Sequence, residues 1–165
     1  IIMSIFVNYE GIKGESSDSG HKDWIDAKSI SWGVLRQITS NTSTKGDRES
    51  SNATISDITL FKYMDKASPK IFIETCCGTG KNVLIDMTKT GQGQGSDTYI
   101  RYKLYNALLS NYHVRYNQRK SSTRPIEVIT ISFAKLQMKY MPYDDDGLIV
   151  APIATGFDYT NNMKL

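Results

Sequence analysis

One stretch limits what this chain can fold into. Residues 54–88 read TISDITLFKYMDKASPKIFIETCCGTGKNVLIDMT. Only here does the pattern break out of strand. Ile55, Ile58, Leu60 and Tyr63 carry an apolar strand pattern up to Lys66-Ala67-Ser68-Pro69. The Ser68 hydroxyl can accept a free backbone N–H as an N-cap. Pro69 fits the first helical position, where its missing N–H costs nothing. Ile71, Phe72, Thr75 and Cys76 then share one helix face. Gly78 and Gly80 can take φ > 0 and stop the helix. The spacing predicts a helix near residues 69–77 of about two to three turns, too short to stand alone, so it must rest on a sheet. A strand over 71–76 is the alternative, since IFIET is rich in β formers.

The rest of the chain reads as strand. Residues 3–9 alternate, and 10–20 form a turn-rich loop with Gly11, Gly14 and Gly20. A strand follows over 24–37, with Gly33 inside it as a bulge. Residues 39–52 hold no large apolar side chain and cannot pack internally, so they project as a loop. Residues 54–60 lead into the central stretch. After the helix, 82–89 resume as strand, 90–97 form a hairpin connection, and 98–116 have strand character almost throughout. Asn106 or Ser110 marks a bend there. Residues 126–140 form the longest clean run, but its period slips. Ile129, Ile131 and Phe133 share one face, whereas Leu136, Met138 and Tyr140 take the other, which predicts a β-bulge near Ala134-Lys135. An acidic connection over 142–152 and a short strand over 155–161 end the chain. The expected fold is all-β and mainly antiparallel: one domain over 1–165, a small β-barrel of two curled sheets with one short helix.

At 165 residues the chain can bury a real core. Its formal charge of +3 is mild, with Lys and Arg spread rather than blocked. No run approaches membrane-spanning length, and there is no charged-then-apolar leader. Cys76 and Cys77 are adjacent and cannot easily bridge each other, so they read as core thiols at a helix end.

Several motifs tempt a chemical reading and fail it. Residues 77–82, CGTGKN, resemble a phosphate loop, but Thr75 stands where the first glycine belongs and Asn82 where a hydroxyl belongs. They also leave a helix rather than enter one. Asp144-Asp145-Asp146-Gly147 lacks the alternating ligands and closing glutamate of a calcium loop. His21 and Asp23 lie near Ser17 and Ser19, but nothing fixes a triad. His21 and His113 are the only histidines, too few and too far apart for a histidine-rich metal site. Arg101, Lys103, Arg115, Arg119, Lys120 and Arg124 interleave with tyrosines, a pattern open to a single-strand groove or to a subunit-facing surface. Polar residues lie in loops and large ones in long strands. That favours a structural or binding module over an enzyme, with a monomeric β-barrel ligand-binding module as the alternative function. Large side chains on both faces of several strands, such as Tyr99, Tyr105 and Tyr140, call for cover by other copies.

Four segments in order resemble the Hcp tube proteins of type VI secretion systems. They are IFVNYEGIKGESSDSGHKDWIDAKSISWG at 5–33, DITLFKYMDKASPKIF at 57–72, ISFAKLQMKYMP at 131–142 and GFDYTNN at 156–162. Within the second, Lys62, Asp65, Ser68 and Pro69 match the family's pattern. The resemblance implies a barrel with a helix on its side, hexameric rings, and rings stacked into a hollow tube. A contractile sheath would expel this tube, tipped by a spike, and effector proteins would ride in the lumen. It implies no catalysis, no cofactor, no nucleic acid and no membrane insertion. It also implies a chain that rests in the bacterial cytoplasm and is then secreted outside or into a target cell without a signal peptide. By the same likeness the 39–52 loop, with Thr39, Lys45, Asp47 and Arg48, reaches a neighbouring subunit or ring. Ring symmetry needs two different surfaces in contact. Tyr99, Arg101, Lys103 and Tyr105 are the strand candidates for an interface or for a polar, basic lumen face. They can serve there only if Arg101 and Lys103 lie outside the core.

Overall fold

The computed structural model describes residues 3–38, 51–90, 96–118 and 124–165. The chain begins with β1 (Met3–Tyr9), β2 (Ile25–Ala27), β3 (Ser29–Ser31), β4 (Val34–Arg36), β5 (Ala53–Ile55) and β6 (Ile58–Tyr63). Helix α1 (Ser68–Cys77) follows. Then come β7 (Lys81–Thr90), β8 (Ser96–Arg115), β9 (Ile126–Ser132), β10 (Lys135–Tyr140), β11 (Ile153–Asp158) and β12 (Met163–Lys164). Every ladder is antiparallel.

The twenty-residue β8 organises the architecture. Its first half pairs with β7 and β10, and its second half with β9. It therefore belongs to two sheets. One runs β12-β11-β10-β8-β7-β1-β2, and the other runs β3-β6-β9-β8. β4 and β5 pair only with each other. The core is shared by both sheets: Val7, Ile25, Val83, Ile85 and Leu104 from the first meet Ile58, Leu60, Ile129 and Ile131 from the second.

The expected barrel of curled sheets is absent, because among the described residues neither sheet pairs back on itself. The first ends on open edges at β12 and β2, the second at β3. The chain changes sheet at corners, at Lys28 between β2 and β3 and at Phe133–Ala134 between β9 and β10. A long strand that turns a corner serves two sheets instead of wrapping one. The 24–37 strand is for the same reason three short strands, and Gly33 lies between β3 and β4. The 54–60 strand is likewise split at Ser56–Asp57.

The expected bulge near Ala134-Lys135 is a full break in the ladder, and β8 answers it. Buried positions in the late strands run 127, 129, 131 and 133, then jump to 136. In β8 they run 102 and 104, then jump to 107 and 109. The jump follows Asn106, whose φ of 51° lies in the left-handed region that asparagine tolerates. Tyr105 pairs with Lys135, and the Ala134 N–H donates to Tyr105 O at 3.1 Å. Adjacent strands thus flip their inward face at one height, which keeps apolar side chains on the core side across the corner.

Helix α1 lies against β8. Ser68 is its first residue rather than its cap, because its side chain turns inward; Ala67 occupies the cap position with no side-chain bond. Gly78 ends the helix at φ −70°, not in the left-handed region. Glycine is needed there for space, since a Cβ would lie 2.4 Å from Glu74 O. On the helix only Ser68 and Ile71 are buried. Cys76 and Cys77 are exposed, not core thiols, and Phe72 is 56% exposed. The helix rests on the sheet by one narrow stripe, so its later turn faces outward.

A buried charge cluster fixes α1 to the second sheet. Lys62 on β6 has a side chain with no exposure, and so does its pairing partner Glu127 on β9. The Lys62 ammonium donates to Glu127 Oε2 at 2.5 Å, Asp65 Oδ1 at 2.9 Å and Tyr63 O at 2.9 Å, with Ser68 Oγ at 3.3 Å. The Tyr112 hydroxyl of β8 donates to the second Glu127 oxygen at 2.5 Å. Burial first, and then Glu127, hold that hydroxyl's pKa well above the usual tyrosine value. Removing one member of a buried pair strands the other, at a cost of about 3–5 kcal/mol. Lys62→Met is expected to lower unfolding free energy by about that amount in urea titrations at fixed protein concentration. A loss of under about 1 kcal/mol would show that the cluster does not hold the helix.

Candidate functional site

The outward residues of β8 form a surface with two halves of different character. Tyr102 and Leu104 point into the core, so Arg101, Lys103 and Tyr105 lie on the opposite face. The ladders set the rows across it. Asp86, Arg101, Lys139 and Ala154 stand side by side, and Leu84, Lys103, Gln137 and Gly156 form the next row.

The β1–β7 half is covered by the loop over 10–24. His21, 4% exposed, stacks on Phe6 with ring centroids 4.5 Å apart and meets Trp24 edge-on at 4.8 Å. Phe6 is buried here, apart from the main core. His21 Nε2 lies 2.9 Å from Asp86 Oδ2 and Nδ1 lies 2.7 Å from Asp18 Oδ2. Arg101 closes the cluster with two bonds of 2.7 Å to the fully buried Asp86 carboxylate. That bidentate partner raises the guanidinium pKa further. Burial works hardest against charge on Asp18, but hydrogen bonds from His21 and Ser96 outweigh it and hold its carboxyl below the usual range. Ser17 and Ser19 take no part in these contacts, so the cluster fastens the loop and is not a triad. Asp23 instead approaches Lys66, at 3.9 Å.

The β8–β10–β11 half is open. A groove of about 350 Å³ lies there, lined by Arg101, Lys103, Gln137, Met138, Lys139 and the β11 residues Ala154 to Gly156, with Leu165 at its side. The Lys103 ammonium sits 5.0 Å from the centre of the Tyr105 ring, whose hydroxyl donates to Gln137 Oε1 at 2.8 Å. Lys135 is neutralised by Asp158 at 3.3 Å. Among the described residues no group of three or more His, Cys, Asp or Glu could hold a metal.

The sequence candidates fall in two sets. Arg101 and Lys103 meet in the groove, Tyr105 flanks it, and half-buried Tyr99 lies two residues before Arg101 on β8. All four lie outside the core. Thr39, Lys45, Asp47 and Arg48 lie outside the described residues. Sequence reasoning missed Lys139 and the Asp18–His21–Asp86 cluster. Lys139 shares parity with Lys135 and Gln137, a signal that needed the β8–β10 register to be used.

A family model described as "Type VI secretion system effector, Hcp" matches residues 6–140. The chain belongs to the Hcp family. Among curated proteins, Protein hcp1 of Pseudomonas aeruginosa is 26% identical over 166 residues, covering 98% of each chain. A solved structure of a type six secretion system protein superposes with a TM-score of 0.89 at 23% identity, covering 99% of this chain and all of that one. Hcp1 from Salmonella typhimurium gives 0.78 at 21% identity, with full coverage of both chains. A type VI secretion system effector from Yersinia pestis gives 0.71 at 25% identity, over 93% of this chain and 98% of that one. This Hcp chain is a structural component of the type VI secretion apparatus, a tube and effector-carrier protein and not an enzyme. Family membership places its work on the secreted side of that apparatus.

Asp18 gives the loop a pH signature. Its folded pKa lies below the usual 3.8, so its contribution is complete above that value and is lost as pH falls through the lower folded value. Thermal melts from pH 5 to pH 2 are expected to show a smaller acid loss in Asp18→Asn than in the wild type. Parallel curves would remove Asp18 from the account.

Proposed function

We propose that copies of this chain close into a hexameric ring, that rings stack into the hollow tube, and that sheath and spike proteins move it while its lumen carries effectors. Six is the number implied by the family resemblance. On this reading residues 1–165 act as one domain, stored in the bacterial cytoplasm and then exported. On the same reading Thr39, Lys45, Asp47 and Arg48 contact a neighbouring subunit or ring.

The observation that carries the reading is the β4–β5 pair. Among the described residues it pairs with neither sheet, and its two strands stand on either side of residues 39–52 in the sequence. A two-stranded pair is marginal by itself in water. Val34 and Leu35 on it are 53% and 67% exposed. Arg36 Nε donates to Ser51 O at 2.8 Å and fastens the loop's base. A hairpin built this way gains stability when a second copy covers its apolar side chains. The outward face with Tyr99, Arg101, Lys103 and Tyr105 supplies a second surface for contact or for the lumen. The alternative, a monomeric ligand-binding barrel, loses support because fully buried Ile58, Leu60, Val83, Leu104 and Ile131 fill the interior.

Light scattering on the eluting protein tests the ring. Six copies of the 18.6 kDa chain give about 112 kDa. Leu35→Asp is expected to lower the assembly mass while the chain keeps its β-rich circular dichroism. A wild-type mass of 18.6 kDa at high concentration would end the ring reading.

A further inference from the structure

The groove on β8, β10 and β11 holds more positive charge than the described residues neutralise. Arg101 is matched by Asp86. Lys103 and Lys139 join no ion pair among the described residues; Lys103 has only the Tyr105 ring, and Lys139 is exposed. Beside these cations lies apolar surface from Ala154 and Leu165. The groove thus suits a segment that carries carboxylates beside aliphatic side chains.

The same chain displays such a segment. Asp144, Asp145 and Asp146 are exposed, and Leu148, Ile149 and Val150 follow at 66%, 51% and 42% exposure. The segment is already shaped. Asp144 Oδ1 accepts the N–H groups of Asp146 and Leu148, at 3.0 and 2.8 Å, and Tyr143 bridges to Ile149. Lys89 sits 3.1 Å from the Tyr143 ring centre and anchors the turn toward β7. No residue of 141–152 lines the groove, so the turn does not fill the groove of its own chain.

We infer that the acidic turn of a second copy docks in this groove, with its carboxylates facing Lys103 and Lys139 and its aliphatic residues against Ala154 and Leu165. The inference rests on the proposed assembly and names the surfaces that make it. Turn and groove are different patches of one chain, so each copy has a groove free for the next turn. Such a head-to-tail contact repeats until it closes a ring or extends a stack. The turn's internal hydrogen bonds reduce the ordering cost on docking. The charges steer the encounter and reject a misplaced copy.

Two charge reversals test it. One chain carries Lys103→Glu with Lys139→Glu, the other Asp145→Lys with Asp146→Lys. Neither touches the buried clusters. In each chain alone, groove and turn bear like charge. Each is expected to lose the wild-type assembly mass by light scattering. An equimolar mixture is expected to recover it, since each turn then meets a groove of opposite sign. If a reversed chain fails to fold by circular dichroism, the neutral pair Lys103→Gln with Lys139→Gln is expected to weaken assembly and reduce its sensitivity to salt. Reversed or neutral chains that keep the wild-type mass overturn the contact and leave the groove to an acidic cargo segment. So does a mixture of folded, reversed chains that does not reassemble. A wild-type chain at 18.6 kDa overturns the ring and this contact together, whereas a wild-type ring with unaffected variants overturns this contact alone.

Discussion

Lys62 brings a full positive charge into the interior between β6, β9 and α1, and the placement of the helix depends on how that charge is met. Burying an ion costs several kcal/mol even after the protein relaxes. Replacing its water shell takes oxygens in fixed positions, and an ammonium has three protons to place. Glu127, Asp65, the Tyr63 carbonyl and Ser68 supply four oxygens within 3.3 Å. Each comes from a different place: β9, the bend after β6, the end of β6, and the first turn of the helix. The geometry therefore exists only when all these elements are docked. Hydrophobic contact through Ile71 alone would let the helix slide on β8. The ion cluster sets its position.

A second buried cluster acts on the outer surface of the first sheet in the same way. Asp86 has no exposed surface, yet it lies on the face opposite the core. It is buried because His21 and Phe6 stack over it and bring the 10–24 loop down onto β1 and β7. Arg101 then reaches in from β8 and completes the neutralisation. The boundary between covered and open sheet runs through Arg101. On one side its charge is taken up within the chain. On the other, Lys103 and Lys139 face outward in the groove.

The sequence revealed features that depend on near neighbours. Alternation placed β1, β7 and β8, and Ser68-Pro69 announced a helix start. The parity slip at Ala134-Lys135 was visible because Phe133 and Leu136 are three residues apart, an odd spacing in a period of two. The features it hid depend on distant partners. Lys62 finds Glu127 and His21 finds Asp86 across 65 positions in each case. Nothing local distinguishes a buried lysine in FKYMD from a solvated one. The exposed Cys76 and Cys77 were hidden for a related reason, because the helix face that packs is chosen by the sheet beneath it. The barrel expectation failed on the same ground. Strand length suggests curvature, but closure depends on which edges pair, and the edges at β2, β3 and β12 do not.

The paired parity flips in β8 and in β9–β10 connect core packing to surface chemistry. A strand that crossed from one sheet to the other without flipping would carry its apolar side chains from the core out to solvent. Asn106 on one strand and the Phe133–Ala134 break on its neighbour prevent this together, since a flip in only one would put a buried row beside an exposed row. The same pair of flips fixes which residues face outward before the corner. With Leu104 and Leu136 held inward and paired, Lys103 must stand beside Gln137 and Arg101 beside Lys139. The basic groove is thus the reverse side of the core's own register. A substitution that shifted the corner by one residue would bury those cations and expose the leucines, so the packing constraint and the outward charge pattern cannot change independently.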